Sequence, residues 1–63
     1  MKAEEAAKII VDSRTSKVKA KKFCDSLEIA ISCVAWTKYG GDVNAVEVED
    51  VIKWAFSMLS EED

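Results

Sequence analysis

The chain has 63 residues, enough for one small domain whose core alone supplies only about 3–5 kcal/mol. Its composition, 49% apolar and 33% charged with no proline, is that of a globular chain built from long uninterrupted elements. The absence of histidine excludes most metal sites and the commonest general base, and the net charge of −3 argues against an unspecific coat for nucleic acid or anionic membrane.

A short amphipathic helix is predicted near residues 2–12. Glu4 and Lys8 stand four residues apart in the favourable order, and acidic residues in a first turn suit the helix dipole. The apolar side chains share the other side of the helical wheel: Ala3, Ala6, Ala7, Ile9, Ile10 and Val11. The polar residues 12–16 then predict a short loop.

A long central helix is predicted over residues 17–39, because nothing in this range breaks a helix and Gly40 and Gly41 are suited to end one. One side of its wheel carries Phe23, Leu27, Ala30, Ile31 and Val34. The opposite side carries Val18, Ile29, Cys33 and Trp36. A helix that is apolar on two sides has to be buried on both.

The third helix is predicted over residues 45–60. Asn44 and Glu47 have the spacing of a capping box at its start. The apolar positions then follow helical spacing: Val48, Val51, Ile52, Ala55, Phe56 and Leu59, with Trp54 and Met58 at the edge of the stripe. Asp50 is expected in an exposed first turn, where the pKa of a carboxyl group stays close to its ordinary value.

These elements predict a single all-α domain, residues 1–63, in the order short helix, long helix, short helix. At about 1.5 Å per residue the central helix would be roughly 35 Å long, and two shorter helices cannot cover both of its apolar sides. We therefore expect a second chain, identical or related, to cover the remaining side. The residues expected at this contact are Val18, Ile29, Cys33, Trp36, Trp54 and Met58. The alternative is a compact monomer with one exposed tryptophan.

The two cysteines are expected to be reduced and structural. Cys24 and Cys33 are nine residues apart in one predicted helix, so they point to opposite sides and lie about 13 Å apart along the axis, too far for a disulfide. With no histidine and no CxxC spacing they make no metal site, and no cofactor is predicted. Both are expected to be small buried side chains.

Two stretches resemble parts of the archaeal-type histone fold. Lys8-Ile9-Ile10-Val11-Asp12, followed by Lys17-Val18, resembles the end of a first histone helix and its loop. Val46-Glu47-Val48-Glu49-Asp50-Val51 resembles the run that enters the third helix of that family. The resemblance implies a histone-fold-like chain whose long central helix pairs with a partner chain. It does not imply that DNA is wrapped.

A second, local resemblance concerns Asp25-Ser26-Leu27-Glu28, which looks like the site where acyl carrier proteins receive phosphopantetheine on serine. In that family the serine opens a helix after a loop. Here no helix breaker precedes Ser26, which predicts a position in the middle of the central helix, where the hydroxyl bonds back to a carbonyl. We therefore do not expect this serine to carry a prosthetic group.

Five of the nine positive charges fall within nine residues that contain no acid. They lie in the loop and first turns of the predicted central helix, where cations oppose the helix dipole, so helix stability does not explain them. A helix start with cations and free N–H groups suits phosphate. The candidate nucleic-acid-binding residues are Arg14, Lys17, Lys19, Lys21 and Lys22. The alternative is a solvated positive surface that balances acids elsewhere in the fold.

No nucleophile is paired with a histidine and no glycine-rich phosphate loop is present, so catalysis is not predicted. The sequence favours a binding protein that dimerises and contacts DNA or RNA, or joins a nucleic-acid-bound complex, through the basic residues. The rival hypothesis is a small acidic regulator or inhibitor, of the kind phages use, anchored on a protein target by Trp36 and Trp54. The acidic start of the chain and the lack of a long apolar stretch predict a soluble cytoplasmic protein without a membrane partner.

Overall fold

The computed structural model describes residues 1–60, and these residues form three α-helices. They are α1, Ala3–Asp12; α2, Ala20–Lys38; and α3, Val48–Ser60, with a 3₁₀ turn at Val43–Ala45 between the last two. The prediction of an all-helical chain with three helices in the order short, long, short is confirmed, and no strand occurs in the described part. None of these helices is both long and apolar enough to cross a membrane.

The central helix begins at Ala20 and not at residue 17, as the sequence had predicted. Lys19, the residue before it, has extended backbone (φ −61°, ψ 137°), and its side chain makes no capping hydrogen bond. A lysine has no acceptor for a first-turn N–H, and its charge opposes the helix dipole, so the residues 17–19 do not favour an earlier start. With 19 residues, α2 is about 28 Å long.

The third helix also begins later than predicted, because the chain before it forms a separate turn. The carboxylate of Asp42 accepts a hydrogen bond of 3.0 Å from the N–H of Asn44 and so caps the 3₁₀ turn. The predicted capping box of Asn44 and Glu47 is therefore wrong. Asp50 takes over one half of that role, since its Oδ2 accepts a hydrogen bond of 3.1 Å from the N–H of Glu47 at the start of α3.

The core of the molecule is narrow and consists largely of alanine. α1 packs against both α2 and α3, and small side chains at the centre let the three helices approach closely. The central cluster is Ala7, Ile10, Ala30, Val51 and Ala55. Larger side chains surround it and stay partly exposed: Val11, Leu27, Ile31, Val46, Trp54, Met58 and Leu59. Much of the apolar surface of the chain therefore lies at the edge of the core and not inside it.

Two glycines end α2, as the sequence predicts. Gly40 and Gly41 have φ angles of 60° and 96°, and the N–H of Gly41 donates a hydrogen bond of 2.8 Å to the carbonyl of Ala35. A Cβ atom built on Gly41 would lie 3.3 Å from the indole ring of Trp36. The second glycine is thus required by a close contact as well as by its backbone angle.

A set of hydrogen bonds joins the end of α2 to the start of α3. The carboxylate of Asp50 accepts a hydrogen bond of 2.8 Å from Nζ of Lys38 and one of 2.6 Å from the hydroxyl of Tyr39, and its side chain is only 10% exposed. These donors, Lys38 first, hold the pKa of Asp50 well below its ordinary value. The expectation of an exposed Asp50 with an ordinary pKa is wrong, because the glycine turn brings Lys38 and Tyr39 beside it.

Candidate functional site

The basic segment, residues 14–22, forms an exposed positive surface between α1 and α2. The first part is a turn that follows α1, residues 17–19 lie outside any helix, and the end is the first turn of α2. All five of its cations are exposed: Arg14, Lys17, Lys19, Lys21 and Lys22. The structure therefore places the five predicted side chains on the surface, along one continuous segment of the chain.

Among residues 1–60, one acidic side chain forms an ion pair with this basic segment. Lys21 lies 3.6 Å from Oδ2 of Asp25, an exposed pair one turn apart on α2. Within residues 1–60, the ion pairs outside the segment involve Lys38 and Lys53. An exposed pair of this kind contributes little to stability and is easily exchanged for another anion. Most of the charge of the segment therefore remains available to a partner.

Arg14 connects the basic segment to the third helix. Its guanidinium carbon lies 5.7 Å from the centre of the Phe56 ring, within the range of a cation–π interaction. Phe56 itself is 46% exposed, so the ring and the guanidinium form a joint surface feature. This contact was missed by the sequence analysis, because residues 14 and 56 are brought together only by the packing of α1 against α3.

An apolar cleft of about 230 Å³ opens next to Arg14. All three helices contribute to its walls, chiefly Ile10, Phe23, Leu27, Ile31, Val51 and Ile52. Two exposed residues of opposite charge, Arg14 and Glu47, also line it. The sequence indicates these wall residues, since Phe23, Leu27 and Ile31 are spaced by four on α2. Helical spacing alone does not show whether such residues line a filled core or an open cleft.

The six residues predicted to contact a second chain lie in different surroundings. Trp36 is 73% exposed. Val18, Ile29 and Cys33 are partly buried, and the helical spacing from 29 to 36 keeps Ile29 and Cys33 near the Trp36 side of α2. Trp54 and Met58 are partly buried and pack against the core of their own chain. The contact predicted for them with a second chain remains a prediction.

The two cysteines are free thiols in α2. Cys33 is partly buried, but Cys24 is exposed, so the expectation that both are buried is wrong for Cys24. Cys24 is turned by about 100° from Phe23, which carries it off the side of the helix that faces the core. Among residues 1–60, no three Cys, Asp or Glu side chains are placed to hold a metal ion.

Ser26 lies in the middle of α2 and is fully buried. Its hydroxyl donates a hydrogen bond of 2.7 Å to the carbonyl of Lys22, one turn earlier. This confirms the predicted bond to the backbone. The buried hydroxyl is not presented for attachment of a prosthetic group, as the acyl carrier resemblance would require.

No protein-family model matches the sequence, and neither the curated proteins nor the solved structures include a significant match.

Proposed function

We propose that the protein is a binding protein without catalytic activity, which contacts nucleic acid through the basic segment and acts as a dimer. The observation that carries the proposal is the basic segment: five exposed cations in nine residues, with no acid among them and, within residues 1–60, one weak exposed ion pair. Phosphate contacts from lysine and arginine supply most of the affinity of proteins for DNA and RNA.

The position of these cations supports a role in binding. Lys21 and Lys22 lie in the first turn of α2, where positive charge weakens a helix, and Lys19 stands where a capping residue would stabilise it. The segment therefore lowers local stability. A phosphate group on this surface would meet both the side-chain charges and the positive end of the helix dipole.

The second part of the proposal is that the protein acts as a dimer. The resemblance to archaeal-type histones implies that two copies pair through their helices, so that two basic segments belong to one particle. Two segments that contact one duplex together would bind far more tightly than either alone, because the second contact is made at a high effective concentration.

The salt dependence of binding tests the nucleic-acid role. If the cations meet phosphates, the logarithm of affinity for B-DNA falls linearly with the logarithm of salt concentration, by about 0.9 for each phosphate neutralised. Changing Lys19 and Lys22 to Ala should flatten this slope and weaken all sequences about equally, since phosphate contacts carry no sequence information.

A matched control is the double change of Lys8 and Lys53 to Ala, which removes the same charge from exposed positions on α1 and α3. This control should change the slope less than the double change in the basic segment. If the folded wild-type chain binds neither duplex nor single strands at low salt, the nucleic-acid role is wrong.

A second candidate function is binding to a protein target, as a small regulator or inhibitor. The observation that favours it is Trp36, whose side chain is 73% exposed on α2, and exposed tryptophans are frequent anchors of protein interfaces. This function predicts that a protein target can be isolated from the native host. Binding to this target should be lost when Trp36 is changed to Ala and kept when Lys19 and Lys22 are changed to Ala. The nucleic-acid role predicts that binding to DNA or RNA is kept when Trp36 is changed and weakened when Lys19 and Lys22 are changed.

A further inference from the structure

An apolar stripe runs along α3 directly beside the residues that face the core. It consists of Val48, Ile52 and Phe56, which are spaced by four residues and so stand one above another on the helix. Val48 is 77% exposed and Phe56 is 46% exposed. Ile52 is partly buried and, with Val48, lines the apolar cleft. The stripe and the cleft therefore form one continuous apolar surface, which we call the α3 stripe with its cleft.

The two ends of the α3 stripe carry opposite charges. At the Phe56 end the guanidinium of Arg14 lies 5.7 Å from the ring centre. At the Val48 end stand the exposed acids Glu47 and Glu49, of which Glu49 is held on the outer side of the helix by a 2.9 Å ion pair with Lys53. The apolar stripe of α3 thus has a positive group at one end, supplied by Arg14 from the turn after α1, and negative groups at the other.

We propose that the α3 stripe is the contact between two copies of this chain, paired antiparallel about a two-fold axis close to Ile52. In a two-fold contact the same patch meets itself, so the patch must be complementary to its own inverted image. The antiparallel arrangement places Phe56 of each copy opposite Val48 of the other. It also brings Arg14 of each copy towards the acids beside Val48, and it sets the two helix dipoles in favourable opposition.

The cleft has room for the ring that this pairing would deliver. An apolar cavity of about 150 Å³ in a protein is large enough to hold benzene, and the cleft beside Val48 and Ile52 measures about 230 Å³. Insertion of Phe56 from the second copy would fill it with a side chain of matching chemistry. Because the core of the single chain consists largely of alanine, this contact would add the large apolar side chains that the core lacks.

This inference rests on the dimer of the proposed function, but it places the contact on α3 and not on Ile29, Cys33 and Trp36 of α2, where the sequence predicts it. It does not rest on the nucleic-acid role. It is tested first by the mass of the particle in solution, measured by sedimentation equilibrium from micromolar to millimolar concentration. The wild-type chain should be a dimer. Val48→Glu should weaken the dimer by about a hundredfold or more, since it replaces the apolar side chain that meets Phe56 of the other copy with a charged one that has to lose its water. Because Val48 is exposed in the single chain, this variant should keep the wild-type helix content by circular dichroism.

The matched control is Trp36→Glu, which introduces the same charge at an equally exposed apolar side chain on α2. This variant should leave the dimer intact. A dimer that dissociates with Trp36→Glu and survives Val48→Glu would show that the chains pair through α2 and would overturn the α3 contact. A wild-type chain that stays monomeric, with the cleft free to take an apolar probe such as an anilinonaphthalene dye, would overturn it as well.

Crosslinking tests the geometry separately. In a chain with Cys24 and Cys33 changed to Ala, Ile52→Cys should form a disulfide-linked dimer under mild oxidation, because a residue at the two-fold axis meets its own copy. Lys53→Cys, one residue along and turned by about 100°, is the control and should crosslink much less. Equal crosslinking of the two variants would contradict the proposed axis. These results do not depend on nucleic-acid binding, so failure of either proposal can be told from failure of the other.

Discussion

The hydroxyl of Tyr39 donates a hydrogen bond of 2.6 Å to the carboxylate of Asp50, across the turn that joins α2 to α3. The same carboxylate accepts from Lys38 and from the N–H of Glu47. One side chain therefore holds the end of one helix, the start of the next and the entry to the turn. The bond also raises the pKa of Tyr39, because it disfavours the phenolate beside a carboxylate.

We predict that stability falls on both sides of a broad pH plateau. The pKa of Asp50 is lowered in the folded chain, so its contribution is present above the ordinary value of about 3.9 and is lost as the pH falls below it. The pKa values of Lys38 and Tyr39 are raised, so their contributions are present below about pH 10 and are lost as the pH rises further.

Asp50→Asn should flatten both flanks of this plateau, as measured by urea unfolding at a series of pH values. Asp42→Asn is the control, since the side chain of Asp42 caps the 3₁₀ turn and, within residues 1–60, makes no hydrogen bond with Lys38 or Tyr39. If the unfolding midpoint of the Asp50 variant kept the wild-type dependence on pH, the role given to this carboxylate would be wrong.

The two glycines that end α2 should differ in their tolerance of a side chain. Gly41→Ala should cost about 2 kcal/mol or more, because φ is 96° and the new Cβ would press on the Trp36 ring at 3.3 Å. Gly40→Ala should cost about 1 kcal/mol, since φ is 60° and nothing lies within 4 Å of the Cβ position. Thermal unfolding of the two variants, with Trp36 fluorescence in parallel, gives the comparison; equal costs would contradict the close contact.

The alanine core should reject larger side chains. Ala55→Leu should destabilise the chain by about 1–3 kcal/mol, because Ala55 is fully buried in the central cluster of the core and a larger side chain has no room there. Ser57→Leu, at an exposed position two residues later, should change stability by less than about 0.5 kcal/mol. If Ala55→Leu left the free energy of unfolding in denaturant unchanged, the core would have to be less tightly packed around Ala55 than the structure shows.

The two cysteines should respond differently to replacement. Cys24→Ala should be close to neutral, within about 0.5 kcal/mol, because the thiol is exposed. Cys33→Ala should cost more, about 1 kcal/mol, as expected for a partly buried small side chain. The rate of thiol labelling by a maleimide reagent checks the assignment independently, and Cys24 should react first.

The three helices could be predicted because their apolar residues repeat with helical spacing and two glycines stand after the second. The starts of α2 and α3 could not, since each depends on a local competition. At Lys19 no acceptor caps the helix, and at Asn44 the carboxylate of Asp42 takes the N–H that the predicted capping box would have used. Hydrogen bonds of this kind are decided by the path of a turn, which periodicity does not describe.

The exposed cations of the candidate site could be predicted from the sequence, whereas the contacts between residues of different helices and turns could not. The five exposed cations could be named from the sequence, because an acid-free run is visible as such. The place of Asp50 beside Lys38 and Tyr39 could not, nor the contact of Arg14 with Phe56, because each joins residues from different elements. Trp54 illustrates the same difficulty, since a tryptophan at the edge of a stripe can serve its own core or a partner with the same spacing.

Arg14 belongs to two surfaces, since it is part of the basic segment and also lies over Phe56 at the end of the α3 stripe. A phosphate group that drew this guanidinium away from the ring would remove the positive group that the pairing of two copies uses. Thermodynamic linkage makes this effect reciprocal: the factor by which a phosphate contact at Arg14 loosens the dimer equals the factor by which dimer formation weakens that one contact. Through this one side chain, dimer formation opposes a single phosphate contact, while the remaining cations of two joined basic segments still act together on one duplex.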